Sequence, residues 1–337
     1  MSWTDIFKSK KGNPDPRVRW FGKLPTYADY YSSKTDESWA VEFNDWILKG
    51  YELLRSRLSQ NPSARRSLPH CMCAVRLPKS GMTVFAAIMD YGGDMRGRPF
   101  PISFYAGIPS SHWPGPTSDR LAYPARVLRD LADLRRDVVR FINSPAHFET
   151  AFSGRVVDLA GIDSESTDTS WERQARTIRL EDWFNQAKQG LKPTDWPTWL
   201  RGVLKWGDDI AALESKEFSP TLRFPLAEGI SVEVQLAGWI LWLEQRMNVR
   251  DRYCSVLVSG VLDDPAPRLS VVARELLPDD FLLLSDLAGS LPYIDDVSQT
   301  KADLSPPDPA APADPRIERL NAEGTWIDFA RTMPGPT

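Results

Sequence analysis

The densest concentration of groups able to do chemistry is Gly92-Gly93-Asp94-Met95-Arg96-Gly97-Arg98. Glycines let successive backbone N–H groups converge, and two arginines one residue apart could clamp a phosphate or a carboxylate there. The competing reading is a buttress, in which Asp94 takes an arginine as counterion and pins a loop bounded by Pro99. The buttress is favoured, because an enzyme would also need a base or a metal beside the arginines, and the sequence specifies none. A second charged pair, Lys23 and Asp29, follows the apolar run Val18 to Leu24. Lys23, Asp29, Asp94, Arg96 and Arg98 therefore form the candidate site, on two loops at strand ends expected to meet at one edge of a sheet. Arg98, held against Pro99, is expected to be mainly structural, and Lys23 and Arg96 to be available to a partner.

Other chemistry is sparse. The chain has no G-x-S-x-G elbow, no Walker A loop, no G-x-G-x-x-G turn and no H-E-x-x-H or C-x-x-C arrangement. Cys71, Cys73 and Cys254 are too few for a disulfide framework. Cys71 and Cys73 share one strand face and His70 the other, so the thiols read as small buried hydrophobes rather than metal ligands. No metal and no cofactor are expected.

Around the candidate site the sequence resembles a known family. Trp20-Phe21-Gly22-Lys23-Leu24-Pro25, followed by Asp29 and Tyr30, resembles the opening motif of TagF, also called ImpM, an accessory family of the bacterial type VI secretion system. Asp94 to Ile102 is similar to that family's D-x-x-G-R-x-F/Y-P-L/I segment, at a similar distance. Ala28 stands where the family usually has glycine. Arg223-Phe224-Pro225-Leu226 and an apolar helix with Trp239 resemble later landmarks, whereas Cys254 to Val258 replaces a Trp-rich strand. The resemblance runs from about Arg17 to Asp286. It implies a non-enzymatic cytoplasmic regulator that restrains secretion after translation by binding other secretion components, with the forkhead-associated (FHA) scaffold protein as partner. The alternative is a small-ligand or phosphate-binding enzyme or sensor using the Asp94 to Arg98 loop.

The elements that must position these loops can be read from periodicity. Val18, Trp20 and Leu24 alternate as in a half-buried strand, Phe21 makes the run two-sided, and Pro25 ends it. Thr35 caps a helix with Asp36 and Glu37 in its first turn and Trp39, Phe43, Trp46, Ile47, Leu54 and Leu58 on one face. Strands at His70–Leu77, Met82–Tyr91 and Phe100–Ile108 form a meander, the first two joined by a turn at Pro78–Gly81. A long helix from Pro124, short helices at Leu180–Ala187 and Trp196–Lys205, and strands at Leu222–Leu226, Tyr253–Val261 and Leu269–Ala273 follow. Ile230 to Met247 changes from period two to helical at Gly238, and Pro278 opens a short helix.

Alternating helices and two-sided strands, together with the antiparallel meander, predict a three-layer α/β/α sandwich around a mixed, largely antiparallel sheet. The family resemblance implies the same architecture. The 337 residues read as one α/β domain over 1–300, with a subdivision near 153–176, and a flexible tail over 301–337 rich in Pro and Asp. A net charge of −4 argues against a nucleic-acid partner. MSWTDIFKSKKG lacks the apolar core of a secretory signal, and the dense apolar run Leu236–Leu243 is far short of the roughly 20 residues that span a bilayer. A cytoplasmic protein without membrane insertion is expected.

Overall fold

The computed structural model describes residues 15–33, 35–61, 68–111, 122–157, 170–187, 191, 195–212, 221–247, 254–260, 266–297 and 314–334. The N-terminal dodecapeptide, His112, residues 158–169 of the expected boundary and the Pro-rich part of the tail lie outside them.

Among the described residues nine strands form one sheet: β1 (Asp15–Gly22), β2 (Tyr31–Ser32), β3 (Cys71–Leu77), β4 (Met82–Met89), β5 (Ile102–Pro109), β6 (Thr221–Pro225), β7 (Ser255–Ser259), β8 (Arg268–Val272) and β9 (Ile294–Asp296). Their order is β2-β1-β5-β4-β3-β7-β8-β6-β9. Every pairing is antiparallel except β6 with β9. The meander is present, and Gly81 makes its first turn with φ +65. The sheet is mixed and open, as the alternation predicts.

Period-two side chains divide the core between the two faces. Val18, Trp20, Met72, Ala74, Phe85, Ala87, Phe104 and Val256 point to one side, and Phe21, Cys71, Cys73, Val84, Ala86, Tyr105 and Leu257 to the other. The first face is covered by α2 (Ala122–Phe141), α3 (Pro145–Phe152), α4 (Ser170–Ala175), α5 (Leu180–Ala187), α6 (Trp196–Ala212) and α7 (Val232–Glu244). The second is covered by α1 (Ser38–Gln60) and the 3₁₀ segments Pro278–Leu284 and Asp286–Ser290. Cys71, Cys73 and Cys254 are buried and in no disulfide, and burial pushes the Cys73 thiol far above its ordinary pKa.

Two helix starts differ from the sequence reading. α1 begins at Ser38, because Glu37 is drawn out of the first turn. Its carboxylate accepts Arg19 Nε at 3.2 Å and Nη2 at 3.0 Å, and also the Thr35 hydroxyl at 3.0 Å. α7 is helical from Val232, so Gly238 lies inside it rather than at a change of period. Val232, Val234 and Leu236 imitate strand alternation because the intervening Gln235 is buried, not solvated. Its amide accepts from Trp183 Nε1 at 2.7 Å and Ala227 N at 2.6 Å, and donates to the carbonyls of Ala227 and Ile230 at 3.0 Å each.

Ile317, Leu320, Trp326, Ile327 and Phe329, apolar enough in sequence to dock on the domain, belong to the chain's last described stretch. There α8 (Pro315–Glu323) and α9 (Trp326–Ala330) pack on the first face. Trp326 is fully buried, stacks on Trp183 at 4.6 Å and donates Nε1 to Val234 O at 3.1 Å. A Cβ on Gly238 would lie 2.1 Å from that nitrogen, so α7 receives the indole only as glycine. The composition signal came from the prolines ahead of α8, whereas the aromatic residues behind them complete the core.

Candidate functional site

β1 ends at Gly22, whose absent Cβ would stand 2.2 Å from Pro101 O, so the start of the second loop's strand presses directly on the end of β1. This close approach delivers Lys23 and the polar turn after it to the loop between β4 and β5. The two loops are stitched by Met95 N donating to Tyr27 O at 2.9 Å, and by Arg98 Nη2 donating to Ala28 O. Ala28 needs no left-handed backbone to do this, because no described non-glycine residue has positive φ.

Asp94 is the hub. Its Oδ1 accepts the amides of Arg96 and Arg98, each at 3.0 Å, and its Oδ2 accepts Arg98 Nε at 2.8 Å. The Lys23 ammonium stands 3.2 Å from the same Oδ2, with both side chains out of solvent. Burial alone would raise the Asp94 pKa, but the Arg98 amide, Lys23, the Arg96 amide and the Arg98 guanidinium together hold it well below the usual carboxylate range. The loop folds around this carboxylate through glycines: Gly92, Gly93 and Gly97 have φ +88, +102 and +70, and a Cβ on Gly93 would meet Arg98 O at 2.3 Å.

The five candidate residues are thus brought together, but their roles differ from the expected division. Lys23 is 6% exposed, clamped between Asp94 and the Tyr30 ring, whose centroid lies 4.9 Å from Nζ. It is part of the buttress and is not presented to a partner as expected. Arg98 is half exposed, yet committed to Asp94 and Ala28, with Asp29 3.9 Å away. Arg96 is exposed, and among the described residues its guanidinium has no acceptor. Two residues missed by the charge pattern join it at the surface. Met95 is 63% exposed, and Tyr30 is 45% exposed with its ring stacked on Phe21 at 5.5 Å. The aromatic run after Pro25 was the available signal for Tyr30. For the Ala28 carbonyl there was none, since a backbone acceptor leaves no mark in side-chain types.

Most of the loop amides that the glycines suggested for phosphate are used inside the loop. Gly92 N is taken by Asp90 Oδ1, Asp94 N by Arg98 O, Met95 N by Tyr27 O, and Gly97 N by Asp94 O. With the amides of Arg96 and Arg98 on Asp94, these N–H groups point into the loop rather than at a guest. No group of three or more His, Cys, Asp or Glu suited to a metal ion occurs among the described residues.

Residues 19–151, which contain all of this geometry, match the family described as TagF N-terminal domain, Type VI secretion system-associated. This part of the chain is similar to TagF N-terminal domains. It includes both motif loops, and it marks the chain as a type VI secretion-associated protein. The match covers less than half of the chain; α4 to α9 and β6 to β9 lie beyond the TagF segment. Among solved structures, the chain is similar to that of PA0076 from Pseudomonas aeruginosa PAO1, with 18% identity and a TM-score of 0.34 over 42% of this chain and 63% of that one. No curated protein matches the chain. Among the described residues no helix is long and apolar enough to cross a membrane.

Proposed function

We propose that the protein is a non-enzymatic, cytoplasmic accessory of bacterial type VI secretion that restrains the system after translation by binding another of its components. The observation that carries this reading is the state of Asp94. A carboxylate that acts as base or nucleophile needs a lone pair free for substrate. Both oxygens of Asp94 are spent on Lys23, Arg98 and two amides. What this investment achieves is a rigid pair of loops, and rigid loops favour recognition because little ordering entropy is lost on binding.

The partner that the family resemblance implies is the FHA-domain scaffold protein. The surface offered to it is Arg96 with its neighbours Met95, Tyr30, Arg98 and Asp29, residue types that include the Arg, Tyr and Met enriched in interfaces. Lys23 and Asp94 serve from beneath. Purification of the tagged protein from a native lysate of cells with an active secretion system tests this. Recovery of secretion components supports it, whereas recovery of a stoichiometric nucleotide or metabolite instead overturns it in favour of a small-ligand sensor.

A further inference from the structure

Outside the TagF segment, the chain buries an arginine without a carboxylate. Arg246, just past the end of α7, is 6% exposed, and its guanidinium lies 3.8 Å from the Trp242 ring centroid. Nη1 donates to Trp242 O at 2.9 Å. Nε and Nη2 have no acceptor, and neither does the indole Nε1 of the Trp242 on which the guanidinium rests. α6 approaches the same group so closely that a Cβ on Gly207 would stand 2.3 Å from Arg246 Nε and 2.6 Å from the Trp242 ring.

The nearby carboxylates are engaged elsewhere. Burial pushes the Arg246 pKa down to about 9, and Asp208, which opposes this, accepts from Arg316 with both oxygens, at 2.8 Å each. Arg316 also takes Asp314, at 2.6 Å. A buried polar group without a partner costs stability, and a cation costs more than a neutral one. Stacking on an indole and a bond to the last turn of a helix offset part of that cost. They leave the Nε and Nη2 edge unmatched, and this is the edge with which arginine grips a carboxylate or phosphate through two parallel hydrogen bonds. The unmatched atoms of Arg246 and Trp242 are all donors, so the guest complementary to them is an acceptor carrying negative charge.

We propose that Arg246 is the anchor of an oxyanion site, taking a carboxylate or a phosphate oxygen pair on its Nε and Nη2 edge with Trp242 as floor. Both nitrogens are out of contact with solvent. Uptake is therefore coupled to a local opening at the end of α7, and the guest is bound in exchange for the cost of a buried, unmatched cation.

Thermal melts of the full chain and of Arg246→Met, in chloride, inorganic phosphate and succinate at equal ionic strength, test this. Methionine keeps the stacked, extended shape without the charge. The wild-type midpoint is expected to rise by several degrees in phosphate, in succinate or in both, and the salt that acts identifies the oxyanion class. Arg246→Met is expected to melt at or above the wild type in chloride and to gain nothing from either salt. An equal response of the two proteins, or no response of the wild type, overturns the site. If Arg246→Met does not fold, Arg246→Lys is used. Lysine keeps the charge but not the fork, and an unchanged wild-type-sized response in it would likewise overturn the proposal.

Discussion

The ammonium of Lys23 lies 3.2 Å from Oδ2 of Asp94, and both side chains are buried. Lys23 directly follows the first strand and Asp94 lies in the loop before β5, so this contact joins the two motif loops from within, alongside the Met95–Tyr27 and Arg98–Ala28 hydrogen bonds. Arg98 covers the same oxygen from the solvent side. The cluster is a clamp, and its consequences are measurable.

The clamp makes acid sensitivity specific to one residue. A carboxyl whose pKa falls on folding contributes stability that is complete above its unfolded value of about 4. That contribution is lost as pH drops below this value toward the folded pKa. Asp94 is of this kind. Melting midpoints of the wild type and Asp94→Asn, measured between about pH 6 and pH 2, should therefore lie apart at the upper end and converge at the lower, with the variant less stable throughout the gap. Parallel curves would show that Asp94 titrates alike in both states.

Glycine requirements in the loop can be separated by their surroundings. A Cβ on Gly92 meets nothing within 4 Å, whereas one on Gly93 strikes Arg98 O and Pro99 Cα. Gly92→Ala should thus cost only the left-handed backbone penalty, about 1–2 kcal/mol. Gly93→Ala should cost more and should also weaken the Arg98 contacts. Urea midpoints rank the two, and an equal or reversed order would contradict the described packing.

The end of the chain is structural. Trp326 fills the space over Gly238 between Trp183 and Trp239. Trp326→Ala should cost about 3–5 kcal/mol, as for other buried large-to-small changes. Removal of residues from 314 onward should be at least as damaging. An unchanged denaturant midpoint in either variant would restore the reading of the whole segment as a dispensable tail.

Much of this was legible because it rested on periodicity. The two faces of β3, β4 and β5, the buried thiols at Cys71 and Cys73, and the α5 span from Leu180 to Ala187 all follow from spacing alone. What was not legible depended on partners distant in the chain. Glu37 looks like a helix-start residue until Arg19 claims it, and Gln235 sits in a run, Ile230 to Met247, that looks like a change of period until the Trp183 indole and the 227–230 backbone take it up inside the helix. Lys23 looks available until Asp94 and Tyr30 enclose it. Each is a polar residue whose placement was decided by a tertiary hydrogen bond or ion pair, which local pattern does not encode.

The central claim is recognition without chemistry at the paired loops, and titration calorimetry of the purified protein with the purified FHA scaffold protein tests it most directly. A complex is expected with the wild type. Binding should weaken at least about tenfold in Arg96→Ala, as for an interface arginine, while its melting midpoint stays within the about 0.5 kcal/mol typical of exposed substitutions. A folded wild-type protein that shows no heat of binding at tens of micromolar, about the weak end of specific complexes, would contradict the account, as would an Arg96→Ala variant that binds with unchanged affinity.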